Sequence, residues 1–156
     1  MDEKKHGACC GLTLIRFWAG IWFLWAGYSK LNAAYLTGGG FEGYVQKFME
    51  AGSVGFYKTC LASVLAHAKI FSILTAFGEL AAGLSLLLGF MTILSSVGVI
   101  IMCLNYLLAT WNFGPASIGL NITMIICGIA FIVGKAGGCL GLDAKFCPMT
   151  KKCCSG

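Results

Sequence analysis

From Phe71 to Leu88 the chain reads FSILTAFGELAAGLSLLL, an apolar run with a single ionisable residue, Glu79. A helix of about 20 residues, rising ~1.5 Å at each, crosses the ~30 Å hydrocarbon layer of a bilayer, so this run approaches a full span and sets Glu79 near its middle. An acidic side chain at that depth costs roughly 3 kcal/mol on insertion scales, which drives it toward protein or a polar cavity. The surrounding residues sort accordingly. At helical spacing Ser72, Thr75, Ala76, Ala82 and Gly83 share the Glu79 face, whereas Ile73, Phe77, Leu80, Leu84 and Leu87 fall on the other. The small, polar face suits close approach of another helix and the bulky face suits lipid. Two readings of Glu79 stand side by side: a proton-handling or hydrogen-bonding acid for a bound ligand, and a structural acid tied to a polar partner. In the first, a neutral carboxyl donates a hydrogen bond to Asn105, Asn121 or a quinone carbonyl.

Three further apolar runs, Leu12 to Leu31, Thr92 to Trp111 and Ala116 to Val133, accompany the first. With 58% hydrophobic and 11% charged residues, the 156-residue chain reads as a polytopic membrane protein and not as a soluble domain. The expected fold is all-α: a four-helix transmembrane bundle with a short helical cap between helices one and two. Its expected divisions are a polar N-terminal tail over 1–11, a transmembrane domain over 12–133 that includes the cap at 32–69, and a cysteine-bearing tail over 134–156. The net charge of +5 is spread over the water-facing segments, which argues against a nucleic-acid binder. No phosphate-cradling glycine pattern follows a strand.

Within helix one, Arg16 stands a turn inside the boundary, in position to snorkel to the interface, and Lys30 marks the other end. Trp18, Trp22 and Trp25 form a stripe suited to packing or a lipid-facing surface, and less often to flanking a flat ring such as a quinone head group. In the loop, GGG at Gly38 to Gly40 breaks the chain. Tyr44, Val45, Phe48 and Met49 beside Glu42, Lys47 and Glu50 then predict a short amphipathic interface helix. A second is expected from about Phe56 to Ala66. Cys60 and His67 are expected to bind no metal. Tight hairpins across Gly89 to Thr92 and Asn112 to Pro115 join helices two, three and four. Counted from the helix ends, Asn105 and Asn121 reach nearly the same depth, within a turn or two of Glu79. Such a layer is either interhelical glue or the wall of a ligand pocket.

Four spans put both termini on one side, which holds Lys4, Lys5, Arg16, Lys135, Lys145, Lys151 and Lys152. The long loop holds Lys30, Lys47, Lys58 and Lys69, so the positive-inside bias favours cytoplasmic ends. Cys9, Cys10, Cys139, Cys147, Cys153 and Cys154 would collect at that same face. Their spacing contains no C-x2-C pair, and no metal is expected there.

Three stretches resemble one known family. RFWAGIWFLWAGYSKL (Arg16 to Leu31) is similar to the first span of the DoxX family, ELAAGLSLLLG (Glu79 to Gly89) to its second-span signature, and GKAGGCLGLDA (Gly134 to Ala144) to its closing glycine-rich turn and leucine-aspartate. The long cap, the cysteines of the two tails and the lack of an acid early in helix four depart from that pattern. The resemblance implies a four-helix protein of the bacterial inner membrane, related to the small subunit of thiosulfate:quinone oxidoreductase and to partners of thiol-handling or oxidative-stress enzymes. It carries over Arg16, Lys30 and Glu79 as polar positions.

Together these observations give an expected membrane subunit of a larger redox or respiratory complex, set in the lipid bilayer among other subunits. It would offer a quinone-accessible pocket in which Glu79 is catalytic and Arg16, Trp25, Lys30, Asn105 and Asn121 bind the ligand. Quinone is the expected cofactor. A non-catalytic accessory or anchoring subunit is the alternative, and a small transporter or metal-handling protein the third.

Overall fold

The computed structural model describes residues 2–138 and 141–143, with side chains from Cys10 onward except that of Ala51. Seven helices and no strand occur among them: α1 (Asp2–Ser29), α2 (Ala33–Leu36), α3 (Gly39–Lys47), α4 (Tyr57–Leu65), α5 (Ala68–Leu88), α6 (Thr92–Ala109) and α7 (Pro115–Val133). Four are long and apolar enough to cross a membrane: Cys10–Ser29 of α1, and all of α5, α6 and α7. Residues 2–11 continue α1 and are not a separate tail ahead of it.

Glycine decides how closely the spans approach. The helices α1 and α5 run antiparallel in extensive contact. A Cβ at Gly83 would lie 2.6 Å from the Leu24 nitrogen and 2.8 Å from the Gly20 oxygen, so these backbones touch. Leu87 packs over Gly20 and Leu80 over Gly27. Both leucines therefore belong to the α1 contact and not to the lipid face expected for them, because the absent glycine side chains leave holes that they fill. Ile73, Phe77 and Leu84 are exposed as expected, and Ser72, Ala76, Glu79, Ala82 and Gly83 are buried. Similarly, α7 closes on α6 where Gly128 meets Ile100 and the Ser96 carbonyl. Contact between α5 and α6 is sparser, and a groove runs between them.

The loop after α1 folds into a cap with its own core of Tyr35, Phe41, Val45 and Leu61, seated on Ala68 and Ala76 of α5. It contains the two helices that its sequence predicts, plus α2, where the Asn32 side chain accepts from the Tyr35 N–H at 2.8 Å. Gly38, at φ +102°, reverses the chain into α3 where an L side chain would be strained. A wide π-type turn at Phe48–Gly52 leads on to the end of α6, where the Val54 N–H donates to the Leu108 carbonyl at 3.1 Å. Phe48 rests on Phe113 with ring centroids 5.8 Å apart.

The opposite pole is closed by a clasp. Arg16, expected to snorkel, is fully buried and donates from Nη1 to the Ala136 carbonyl at 2.9 Å. Its guanidinium is attracted by the carboxylate of Asp143. Asp143 accepts from the N–H groups of Met91 (2.7 Å) and Thr92 (2.9 Å), and so caps the start of α6 from the far end of the chain. The Leu142 and Asp143 N–H groups in turn donate to Leu88 and Gly89 carbonyls. The turn after α7 thereby supplies Arg16 with a carbonyl and a carboxylate inside the bundle.

Candidate functional site

Glu79 sits midway along α5 and is 1% exposed. Lys30, at the end of α1, bends inward: its Nζ donates to Glu79 Oε2 at 2.6 Å and to its own helix at the Ala26 carbonyl, 3.2 Å away. From α6 the Tyr106 hydroxyl donates to Glu79 Oε1. Three spans thus meet at one carboxyl group. Its two oxygens meet Lys30 and Tyr106, and neither meets Asn105 or Asn121, the partners expected for it. Lys30 supplies the compensating charge, since its flexible stem reaches from the span end into the bundle. The attraction is strong where water is scarce, and the hydrogen bond from Tyr106 adds to it.

Between this cluster and the cap lies a cavity of about 390 Å³. Lys30, Tyr35, Phe41, Phe48, Asn105 and Tyr106 contribute to its wall. Most of the lining is aromatic or aliphatic and a few polar tips converge, which is the usual make-up of a small-molecule site. Glu79 itself stands behind Lys30 and Tyr106, outside the lining. It acts by holding these two groups at the wall. Burial, together with the nearby Glu79 and Tyr44, keeps the Tyr35 phenol above its ordinary pKa, so it stays a neutral donor. Burial, with Cys60 second, does the same for Tyr57, whose hydroxyl donates to Asn105 Oδ1 and so ties the cap to α6.

The expected layer of Glu79, Asn105 and Asn121 does not form. Asn105 turns to Tyr57 and the cavity wall, while Asn121 donates from Nδ2 to the Ser117 carbonyl of its own helix at 2.9 Å. Counting residues gives depth but not azimuth, and one step along a helix turns a side chain by about 100°. Tyr106, next to Asn105, is therefore the α6 residue aimed at Glu79. Its signal in the sequence was ambiguous, because a tyrosine near a span end ordinarily reads as an interface anchor. Trp25 is 75% exposed on the outer face of α1 beside Trp22, apart from the cavity. Arg16 lies in the clasp, about 21 Å of helix from Lys30.

Among the described residues no three His, Cys, Asp or Glu side chains gather as metal ligands. Cys10 and Cys60 are exposed, Cys103 is buried, and Cys127 is half-buried. Cys139, Cys147, Cys153 and Cys154 lie outside the described residues, as does the side chain of Cys9.

A family model described as DoxX matches residues 11–115, which take in most of α1, the cap, α5 and α6. No curated protein and no solved structure matches the chain.

Proposed function

The chain belongs to the DoxX family, and from that membership we propose that this integral, multi-pass membrane protein is a subunit of a larger redox or respiratory complex and binds a quinone head group beneath its cap. The observation that carries the reading is the Lys30, Glu79 and Tyr106 cluster at the floor of an aromatic cavity. A quinone becomes a quinol by taking up two electrons and two protons. The electrons would come from a partner subunit's cofactor, since the sequence carries no haem or cluster motif. Lys30 and Tyr106 are the members of the cluster that line the cavity, and Glu79 positions both. A bound quinone would supply the redox chemistry; Lys30, with two of its three N–H bonds spent on Glu79 and Ala26, would turn the third to a carbonyl oxygen, and Glu79 would hold Lys30 and Tyr106 in place beside it.

The test is quinone-dependent turnover by the complex purified in mild detergent. Tyr106→Phe removes one donor from the wall, and Glu79→Gln keeps the shape while removing the charge. Both variants are expected to assemble and to lose turnover by about 100-fold, the lower range for a general acid. Full activity in both would leave an accessory, anchoring subunit as the reading.

We further propose the bacterial inner membrane as its location, with both termini cytoplasmic. An impermeant thiol reagent applied to whole cells is then expected to label Cys60, exposed in the cap, and to spare Cys10. Labelling of Cys10 with Cys60 spared would invert the topology.

A further inference from the structure

The groove between α5 and α6 has a volume of about 700 Å³ and extends from Phe90 and Met91 to Asn105 and Tyr106. From Met91 to Asn105 that is about 21 Å of helix, some two-thirds of a ~30 Å hydrocarbon layer. Its far end is shared with the cap cavity, because Phe71, Thr75, Asn105 and Tyr106 line both. The two spaces adjoin across these four residues, the groove mostly aliphatic and the cavity bearing the polar tips of Lys30 and Tyr106.

Two glycines in this groove have no packing reason to be glycine. A Cβ at Gly98 would meet nothing within 4 Å, and one at Gly78 would meet only Met102 Sδ at 3.9 Å. Glycine inside a helix costs about 1 kcal/mol relative to alanine, and at Gly20, Gly27, Gly83 and Gly128 that cost is offset by close helix contact. At Gly78 and Gly98 no helix backbone comes within 4 Å of the missing Cβ. What their missing side chains create is room along the groove, beside the polar cavity.

We propose that the α5–α6 groove holds the hydrocarbon tail of the quinone whose ring lies beneath the cap, with Gly78 and Gly98 setting the width available to it. The inference rests on the head-group reading above and adds the class of ligand: a ring on a long prenyl chain, admitted sideways from the bilayer. The neighbouring cavity argues for a chain attached to a ring over a helix of a second copy, because Phe71, Thr75, Asn105 and Tyr106 line both spaces and a helix ~10 Å across has no part that would enter the cavity. Tail binding is driven by packing and not by the hydrophobic effect, since the surrounding lipid is equally apolar. A side chain filling the groove therefore opposes it directly.

The experiment compares two probes on the full chain in lipid nanodiscs, a long-chain prenylated benzoquinone and the same ring bearing a methyl in place of the chain. Wild-type protein is expected to hold the prenylated ring about tenfold tighter. Gly98→Leu and Gly78→Leu are each expected to erase that preference, an overpacking effect of about tenfold, while leaving the tail-free ring's affinity unchanged. Gly98→Ala serves as the folding control and is expected to be at least as stable as wild type. If both probes bind the wild type equally and the leucine variants change nothing, the tail inference is overturned and the head-group site stands. If neither probe binds, the head-group reading falls and the tail inference falls with it.

Discussion

Glu79→Leu alone is expected to destabilise the bundle by about 3 kcal/mol, and pairing it with Lys30→Met is expected to restore most of that loss. The single change strands the Lys30 ammonium without its carboxylate, and breaking a buried ion pair from one side costs about 3–5 kcal/mol. Lys30 keeps about a quarter of its side chain exposed, which places the cost at the lower end. The converse change, Lys30→Met, leaves Glu79, at 1% exposure, with Tyr106 as its remaining partner. It is expected to be the more damaging of the two. The double variant replaces the pair by apolar side chains of similar length, an exchange that is often neutral for stability. Denaturant unfolding in nanodiscs measures all three. A double variant as unstable as the worse single would move the role of these residues from charge pairing to shape. Restored stability without restored quinone turnover would separate what the pair does for the fold from what it does for the ligand.

Gly89→Ala is expected to cost at least about 3 kcal/mol, although it adds one methyl group. The residue sits at φ +63°, where an alanine is strained by about 1–2 kcal/mol. The new Cβ would also overlap the Arg16 guanidinium and lie 2.6 Å from the Gly141 Cα, so the clasp must open to admit it. Opening it separates Asp143 from the first N–H groups of α6, and buried donors left unpaired cost about 1–3 kcal/mol each. Asp143→Ala, which removes the cap directly, is expected to behave alike. The control is Gly119→Ala in α7, where a Cβ meets nothing within 4 Å and alanine favours the helix. Unfolding curves of the three variants decide it, and a Gly89→Ala variant as stable as the control would remove the clasp from the account.

The DoxX resemblance was legible in ordered short motifs, and the match over residues 11–115 shows the family. The four spans, their tight hairpins and the central place of Glu79 followed from local properties of the chain. Run length sets whether a helix crosses the bilayer, and the alternation of small and bulky residues sets which face is buried. Both are visible without knowing the neighbours. Even the two longer cap helices showed in the i, i+4 pattern around Tyr44 and Phe48 and in the stretch after Phe56. What α1 and α6 present to Glu79 was a different kind of question. It depends on how each helix is rotated about its axis, and for α1 that rotation is set where Gly20, Gly27 and Gly83 let its backbone meet α5. For this reason Lys30 and Tyr106 replaced Asn105 and Asn121 as the partners of the acid, and Leu80 and Leu87 turned from lipid to α1. Arg16 shows the same limit from the other end. By composition it was a boundary residue, but the chain after α7 returns to it with a carbonyl and a carboxylate, and only the closed bundle brings residues 120 positions apart into hydrogen-bonding distance.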